Sequence, residues 1–485
     1  MGVLLLITIL IPVATGSVVF LFKGLKFSHI RGIVSLGVLA SSVLTWWLAL
    51  SGTTESFTLV NFTSDLSLTL QLDGCGRIFA LISATLWPLT ALYSFEYMKD
   101  HPRLHLFYGF FTASYGATLA VAFADNLITL YLFFEMLTLT TIPLVLYYLT
   151  DEAKRAARYY MYYSIGGAAF AFMGVICVIV LGTNHGQFVM GGSVLMAASE
   201  YPFLMRTMYV LSFVGFGVKA ALFPCSAWLP RASVAPTPVT ALLHAVAVVK
   251  AGAFAVIRLT YYGYGINYIK DTWAQYVVLA LTAITILYGS VQAVRQQHFK
   301  RRLAYSTVAN MSYILMGVAL MTDAGLVAAS SHMVFHSIIK IVAFFAAGAV
   351  QHHAKCNYLQ ELDGIGRKMP VTFACFTVAS LALVGIPPFN GFVSKWYLGM
   401  AAMAQGSTMG LICVIVLMIS AFLTLIYMFQ AVVRAWFYPS CQANSQAVEA
   451  GPAMTVPMVV LSVAILATGL FAGDIMSWLN SLLGV

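Results

Sequence analysis

The run VGFGVKAALFPCSAWLP at 214–230 sets Lys219 and Pro224 in the middle of an otherwise apolar stretch. A second run, LVGIPPFNGFVSKWYL at 383–398, repeats the combination with Pro387, Pro388 and Lys395. Proline removes a helix hydrogen bond, and the carbonyls it frees are tolerated at membrane depth only where the backbone is buried in protein or lines a polar cavity. Broken hydrophobic segments in corresponding positions point to two internal repeats, commonly inverted, each with an ion site at its break. Ordinary proline kinks are the alternative, and the charge beside each break favours the repeats.

Working outward, the whole chain is of this character. Of its 485 residues 61% are hydrophobic and only 8% charged, whereas about a quarter carry charge in a soluble domain. Hydropathy predicts spans near 2–22, 30–50, 76–95, 104–123, 125–149, 159–181 and 204–229, the last interrupted at Pro224. Further spans are expected near 237–260, 273–294, 303–321, 325–349, 370–403 (interrupted at Pro387 and Pro388), 408–434 and 453–473. The expected fold is an all-α polytopic membrane protein of about fourteen transmembrane helices. It forms a single membrane domain over 1–485: N-terminal helices in 1–103, a first repeat in 104–260, a second in 273–434 and a C-terminal helix in 453–485.

Assigning alternate loops to opposite sides puts 17 of the 25 Lys and Arg residues on one side, with Arg77, Arg206, Arg258 and Lys270 on the other. The positive-inside rule then places the basic side in the cytoplasm and both termini outside. The first run has no basic residue before its apolar core and no clear cleavage site, so it reads as the first helix and not a signal peptide. Alternation in 57–72 suggests a short external hairpin, and 438–452 is the most loop-like link. The seven cysteines show no CxxC pair and mostly lie in apolar runs, as packing residues do.

Glu135 lies about ten residues into its span in LYLFFEMLTLTTIPLVL, near the bilayer midplane. An ionised carboxylate there costs roughly 2.5–3.5 kcal/mol on insertion scales, so it needs a partner or a proton. A static salt bridge between helices is the bland alternative. Lys219, Lys250, Lys340 and Lys395 are equally deep, and burial favours the neutral amine, which fits such lysines to exchange protons. His332, His336 and Lys340 are spaced by four and line one helix face. That spacing also suits zinc, but no acidic or cysteine third ligand lies close in sequence, so a proton path is favoured over a metal site. His244 precedes Lys250 by six residues, so the two face neighbouring segments of one path, or His244 simply packs. No nucleotide loop, haem attachment motif or cysteine cluster is present, and no cofactor or redox step is expected in this chain. Whether it counts as an enzyme stays open.

The run KAALFPCSAWLPRASVAPTPVTALLHAVAVVKAGAF at 219–254 resembles the signature of the antiporter-like membrane subunits shared by respiratory complex I, energy-converting membrane hydrogenases and Mrp-type Na+/H+ antiporters. LFFEMLTL at 132–139, HFKRRLAYSTVANMSYI at 298–314, SHMVFHSIIKIVAFFAAGAV at 331–350 and GIPPFNGFVSKWYL at 385–398 fit in the same order, and the resemblance covers roughly residues 70–435. It implies fourteen helices with two inverted five-helix repeats, helices four to eight and nine to thirteen, with helices seven and twelve broken. It further implies that Glu135 and Lys219 form the family's charged pair, that Lys250, His332, His336 and Lys340 belong to its central polar axis, and that Lys395 is the terminal lysine. Arg231 departs from the family, which often has an acidic residue after WLP. The chain ends without the long lateral helix of larger members and so resembles the shorter subunits, which pack in series with paralogues.

The function expected first is proton translocation in a multi-subunit redox-driven membrane complex, complex I-like or energy-converting hydrogenase-like; within the family, GIPPFNGFVSKWYL resembles the hydrogenase and Mrp branches more than the subunits of typical complex I. The expected partners are other membrane subunits, including paralogues, a peripheral redox arm and lipid, with Na+ handled at the level of the complex and no nucleic acid. One alternative is a subunit of an Mrp-type Na+/H+ antiporter without a redox partner. Another is a structural spacer. The expected location is the cell inner (cytoplasmic) membrane.

Overall fold

The computed structural model describes residues 2–52, 54–63, 66–183, 185–194 and 200–485. Helices α1 (Gly2–Leu21) and α2 (Phe27–Leu50) lead into an antiparallel hairpin of β1 (Phe57–Asn61) and β2 (Ser67–Leu70), whose turn at 64–65 lies outside the described residues. There follow α3 (Gly74–Tyr97), α4 (Leu104–Ala122), α5 (Leu127–Val145), α6 (Asp151–Leu181), α7 (Pro202–Lys219) and the short α8 (Trp228–Ala232). α9 (Thr237–Ala245) and α10 (Val248–Ile257) run into a π-helical turn, Arg258–Tyr264, and α11 (Ile266–Ile269). The second half comprises α12 (Trp273–Arg295), α13 (Phe299–Ala319), α14 (Asp323–Ala349), α15 (Pro370–Val384), α16 (Asn390–Met403) and α17 (Thr408–Phe437). α18 (Pro452–Leu470) and α19 (Ala472–Leu483) close the chain.

Among the described residues ten helical segments are long and apolar enough to cross a membrane. Capping side chains set several boundaries. Thr150 accepts from Ala153 N, and Asp151 and Glu152 occupy the positive first turn of α6, so this helix starts well before the apolar stretch expected from 159. Asp73, Asn126, Thr322 and Ser407 cap α3, α5, α14 and α17 in the same way.

Burial sorts the helices into a centre and a rim. Every residue from Thr237 to Tyr264 is buried, whereas α17 and α18 turn exposed apolar residues such as Met418, Phe422 and Val463 outward. An apolar exterior over a partly polar centre is what a lipid solvent selects. The two expected interruptions occur, between α7 and α8 and between α15 and α16. The span expected as continuous over 237–260 is broken as well: helical backbone stops at Ala245 and resumes at Val248. No proline marks this break, which is why hydropathy misses it. The C-terminal helix expected over 453–485 divides at Phe471, and its second piece, α19, is amphipathic; its Leu482 carbonyl abuts Gly74 so closely that any Cβ there would clash.

Gly2 N donates to Glu55, so both the beginning of α1 and the end of α19 lie at the end of the bundle that carries the hairpin. There Asp73 grips Arg258 with both carboxylate oxygens. The opposite end gathers the basic loops: Arg103 donates to Tyr147 O, Arg301 pairs with Glu152, and Lys368 donates to the carbonyls of Asn444 and Ser445.

Candidate functional site

α7 ends at Lys219 because Ala221 takes a left-handed conformation (φ 60°) and Pro224 follows. The carbonyls this frees are satisfied locally: Leu222 N donates to Gly217 O, and the Trp228 indole donates to Val218 O at 2.8 Å. Phe223 N donates to Thr285 Oγ1 of α12 at 3.0 Å. On this braced break, Lys219 Nζ donates to Glu135 Oε1 at 2.9 Å and to Phe134 O, and it lies 3.4 Å above the Phe134 ring. Glu135 is 25% exposed and Lys219 1%. The carboxylate therefore looks toward the lateral surface, among exposed Leu132, Met136 and Leu139, while the ammonium looks inward.

Gly252 lets α10 pack against the same break; a Cβ there would stand 2.6 Å from Ala220 N. Two residues away is Lys250, whose Nζ lies 2.6 Å from His336 Nδ1 of α14 and donates to His244 O at 3.3 Å. That carbonyl is available because the helix stops one residue later. The structure thus brings His244 and Lys250 together through backbone, while the His244 ring turns away to Ser233 Oγ (3.5 Å) and stacks on Phe344 (4.5 Å between centroids).

The stripe on α14 divides. His336 and His332 stack with centroids 5.6 Å apart, and His332 Nδ1 meets Ser394 Oγ of α16 at 2.9 Å. Lys340 leaves this line and donates to Leu303 O (2.9 Å) and Ser306 Oγ (2.6 Å) of α13. Lys395, next to Ser394, donates to Leu383 O (2.6 Å) and Val384 O (3.0 Å). These are the last carbonyls of α15, left open by Pro387 and Pro388, so the break itself supplies the ligands of its lysine. Lys395 is half-buried, whereas Lys250, His332, His336 and Lys340 are fully enclosed. Pro224, Pro387 and Pro388 all stand at the interruptions.

Residue patterns missed several contributors: Ser233, Ser306 and Ser394, and Tyr313, whose ring faces His332 (5.3 Å) and Lys395 (5.5 Å) while its hydroxyl donates to Ser420 Oγ at 2.6 Å. Serine and tyrosine are common in membrane helices and carry no spacing signal of their own. His244 Nδ1, His332 Nε2 and His336 Nε2 are buried without a protein partner among the described residues, which leaves each imidazole one nitrogen free for proton exchange. No group of His, Cys, Asp or Glu side chains among the described residues is arranged to hold a metal.

Outside the helices, between α4 and α5, Asp125 sits near the Asp73–Arg258 pair. Burial and the Asp73 carboxylate push its carboxyl up to about 6, against the pull of Arg258.

Residues 124–424 match the family model described as "NADH:quinone oxidoreductase/Mrp antiporter, TM". The chain is 29% identical over 429 residues to Na(+)/H(+) antiporter subunit A1 of Staphylococcus aureus, a match that covers 83% of this chain and 52% of the relative. It thus spans about half the length of the curated relatives it matches. Among solved structures, a chain of the archaeal membrane-bound sulfane sulfur reductase superposes with a TM-score of 0.87 at 24% identity, covering 99% of this chain and 97% of that one. A chain of the Mrp complex from Dietzia sp. DQ12-45-1b gives 0.87 at 20% identity, covering 100% and 97%. These likenesses establish the fold: a multi-pass membrane protein built like the subunits of such complexes.

Proposed function

The chain belongs to the NADH:quinone oxidoreductase/Mrp antiporter membrane family, and from that membership we propose that it is the proton-translocating subunit of an Mrp-type multi-subunit Na+/H+ antiporter. The observation that carries this reading is the contact between Lys250 Nζ and His336 Nδ1 at 2.6 Å. It joins the segment 104–260 to the segment 273–434 and turns two buried half-sites into one row from Glu135 to Lys395.

In this reading Glu135 and Lys219 are the controlling pair. Protonating or displacing the carboxylate removes the attraction that holds a proton on Lys219 and sends it onward. Lys250, His336 and His332 relay it, Lys340 and His244 branch from the relay, and Lys395 hands it to a neighbouring subunit. Glu135 and Lys395, the only half-exposed members, lie at the two ends. A lysine and histidine row suits protons, whereas Na+ prefers carboxylate and carbonyl oxygens, so Na+ is handled elsewhere in the complex.

In the same reading the ten apolar helical segments, together with Leu104–Ala122, Pro202–Lys219, Phe299–Ala319 and the α15–α16 pair, count as fourteen crossings, taken as two inverted five-helix repeats. The basic end faces the cytoplasm, and the termini and hairpin lie outside. The reading expected first from the sequence is a redox-driven complex with a peripheral redox arm; the curated relatives, named as antiporter subunits, favour the Mrp alternative.

The test is Na+-dependent collapse of a pH gradient in inverted vesicles carrying the chain with its companion subunits. Collapse in wild type and its loss in Glu135→Gln and Lys219→Ala, at equal protein level, are expected. Unchanged exchange in both variants sinks the site, and copurification of iron-containing subunits sinks the antiporter assignment in favour of a redox-driven complex.

A further inference from the structure

At the basic end of the bundle, α6, the α8 turn and the start of α13 enclose an open pocket of about 450 Å³ lined by Glu152, Arg155, Tyr159, Arg231, Arg301 and Tyr305, among others. Glu152 is taken by Arg301. Arg231 lies flat on the Tyr159 ring, 3.8 Å from its centroid, and among the described residues neither Arg231 nor Arg155 has a carboxylate partner. Three guanidiniums against one carboxylate leave the pocket with a formal charge of +2. Guanidinium forks lining one cavity match the oxygens of a phosphate.

The surface next to the pocket identifies what carries that phosphate. α6 has 31 residues, about 46 Å at 1.5 Å per residue, longer than the roughly 30 Å hydrocarbon core, so its first turns stand in the headgroup layer. Its outward stripe changes in order along the helix. Arg155 and Arg158 come first, then exposed Tyr159 and Tyr162, then exposed Ile165, Phe170, Met173 and Ile176. Charge, aromatic belt and apolar track follow the profile of a phospholipid from headgroup to acyl chain. A second cleft lined by Arg155, Arg158, Tyr159 and Tyr162 shares two residues with the pocket and leads from it onto the stripe.

We propose that this pocket is a binding site for the phosphate headgroup of an anionic phospholipid, whose acyl chains lie along the outward face of α6. The bound headgroup braces α8 against α6 and α13. α8 also carries Trp228, whose indole holds the end of α7, so the lipid stiffens the break beside Lys219. The binding assignment itself does not depend on the transport reading.

The test uses the full-length chain purified in detergent, stripped of lipid, and reloaded with phosphatidylglycerol or phosphatidylcholine before native mass spectrometry. Wild type is expected to retain phosphatidylglycerol and not phosphatidylcholine. Arg155→Gln and Arg231→Gln should each cut retention about fivefold, the size of one interfacial cation. Arg231→Asp should cut it further, and Arg295→Gln, outside the pocket, should leave it unchanged. Equal retention in wild type, R155Q and R231Q overturns the site. Displacement by inorganic phosphate at the same concentration as the lipid overturns the lipid assignment in favour of a free anion. In native membranes a photoreactive group at position 162 should capture lipid; capture of a neighbouring protein chain alone overturns the proposal in favour of a subunit contact.

Discussion

Lys250 Nζ and His336 Nδ1 stand 2.6 Å apart with both side chains fully buried, and a bond of that length between two nitrogens holds one proton. Two protonated nitrogens would face each other as like charges in a medium that screens poorly. The pair therefore carries one charge at most, and a proton arriving at His336 from one side obliges Lys250 to release its own.

Shared occupancy makes the two residues act as a unit. Lys250→Ala and His336→Ala are each expected to lower proton flux by about 100-fold, the scale of a lost acid–base step. The double variant should be no worse than either single one. Flux in proteoliposomes at matched protein content checks this; multiplicative losses would show that the two serve separate paths.

The pair formed by Glu135 and Lys219 distinguishes transport from scaffolding. Exchanging them as E135K/K219E keeps one charge of each sign but puts the long side chain on α5 and the acid on the braced end of α7. Protein yield and thermal midpoint should recover relative to either single substitution, while flux stays at least about tenfold below wild type. Full recovery of flux would reduce the pair to a static salt bridge.

Close packing at the α7 break gives a stability prediction. Gly252→Ala places a methyl 2.6 Å from Ala220 N, backbone that cannot rotate aside. A loss of about 1–3 kcal/mol is expected, the usual cost of overpacking, with reduced flux because α10 carries Lys250 two residues away. Gly166→Ala on α6 is the control, since nothing lies within 4 Å of its added methyl; it should be neutral or gain about 0.5–1 kcal/mol of helix stability. Thermal unfolding followed by tryptophan fluorescence compares the two.

Asp125 predicts a pH dependence at the hairpin end. Its carboxyl titrates at about 6 in the fold, against an ordinary 3.8, through burial and the Asp73 carboxylate. The folded state binds the proton more tightly than the unfolded chain, so stability falls as pH rises from about 4 to about 6 and then levels. Asp125→Asn should raise the stability to unfolding at pH 8 by roughly 1–3 kcal/mol after allowance for partial exposure, read from the unfolding free energy across pH. The gain should fade toward pH 4; a gain that grows on acidification would contradict the assignment.

Much of this protein is legible along the chain. The apolar runs outline most helices, and Pro224, Pro387 and Pro388 mark two interruptions, because hydropathy and a missing N–H are properties of local sequence. The third interruption, in HAVAVV at 244–249, leaves no such mark. Its residues are ordinary helix formers, and the bend is held by what surrounds it: Lys250 on the freed His244 carbonyl and Gly252 against the α7 end. The division of the C-terminal helix is unmarked for a related reason, since Ala472–Leu483 is too short to register as a span of its own and docks on α3.

The sequence by itself determined which charges lie deep within apolar runs: Glu135, Lys219, Lys250, Lys340 and Lys395. The packed structure encloses Lys219, Lys250 and Lys340, leaves Glu135 and Lys395 part-exposed, and buries Arg258, Lys300 and Arg302, which stand at or beyond the ends of such runs. Only the tertiary structure decided what each one faces. Spacing by four put His332, His336 and Lys340 on one stripe, yet two join the line toward Ser394 while the third turns to Ser306. The physical reason is that depth in a membrane follows from the polarity of a segment, whereas enclosure and a hydrogen-bond partner depend on distance and angle to atoms far away in the chain. Those distances exist only once the helices, intact and broken, have packed.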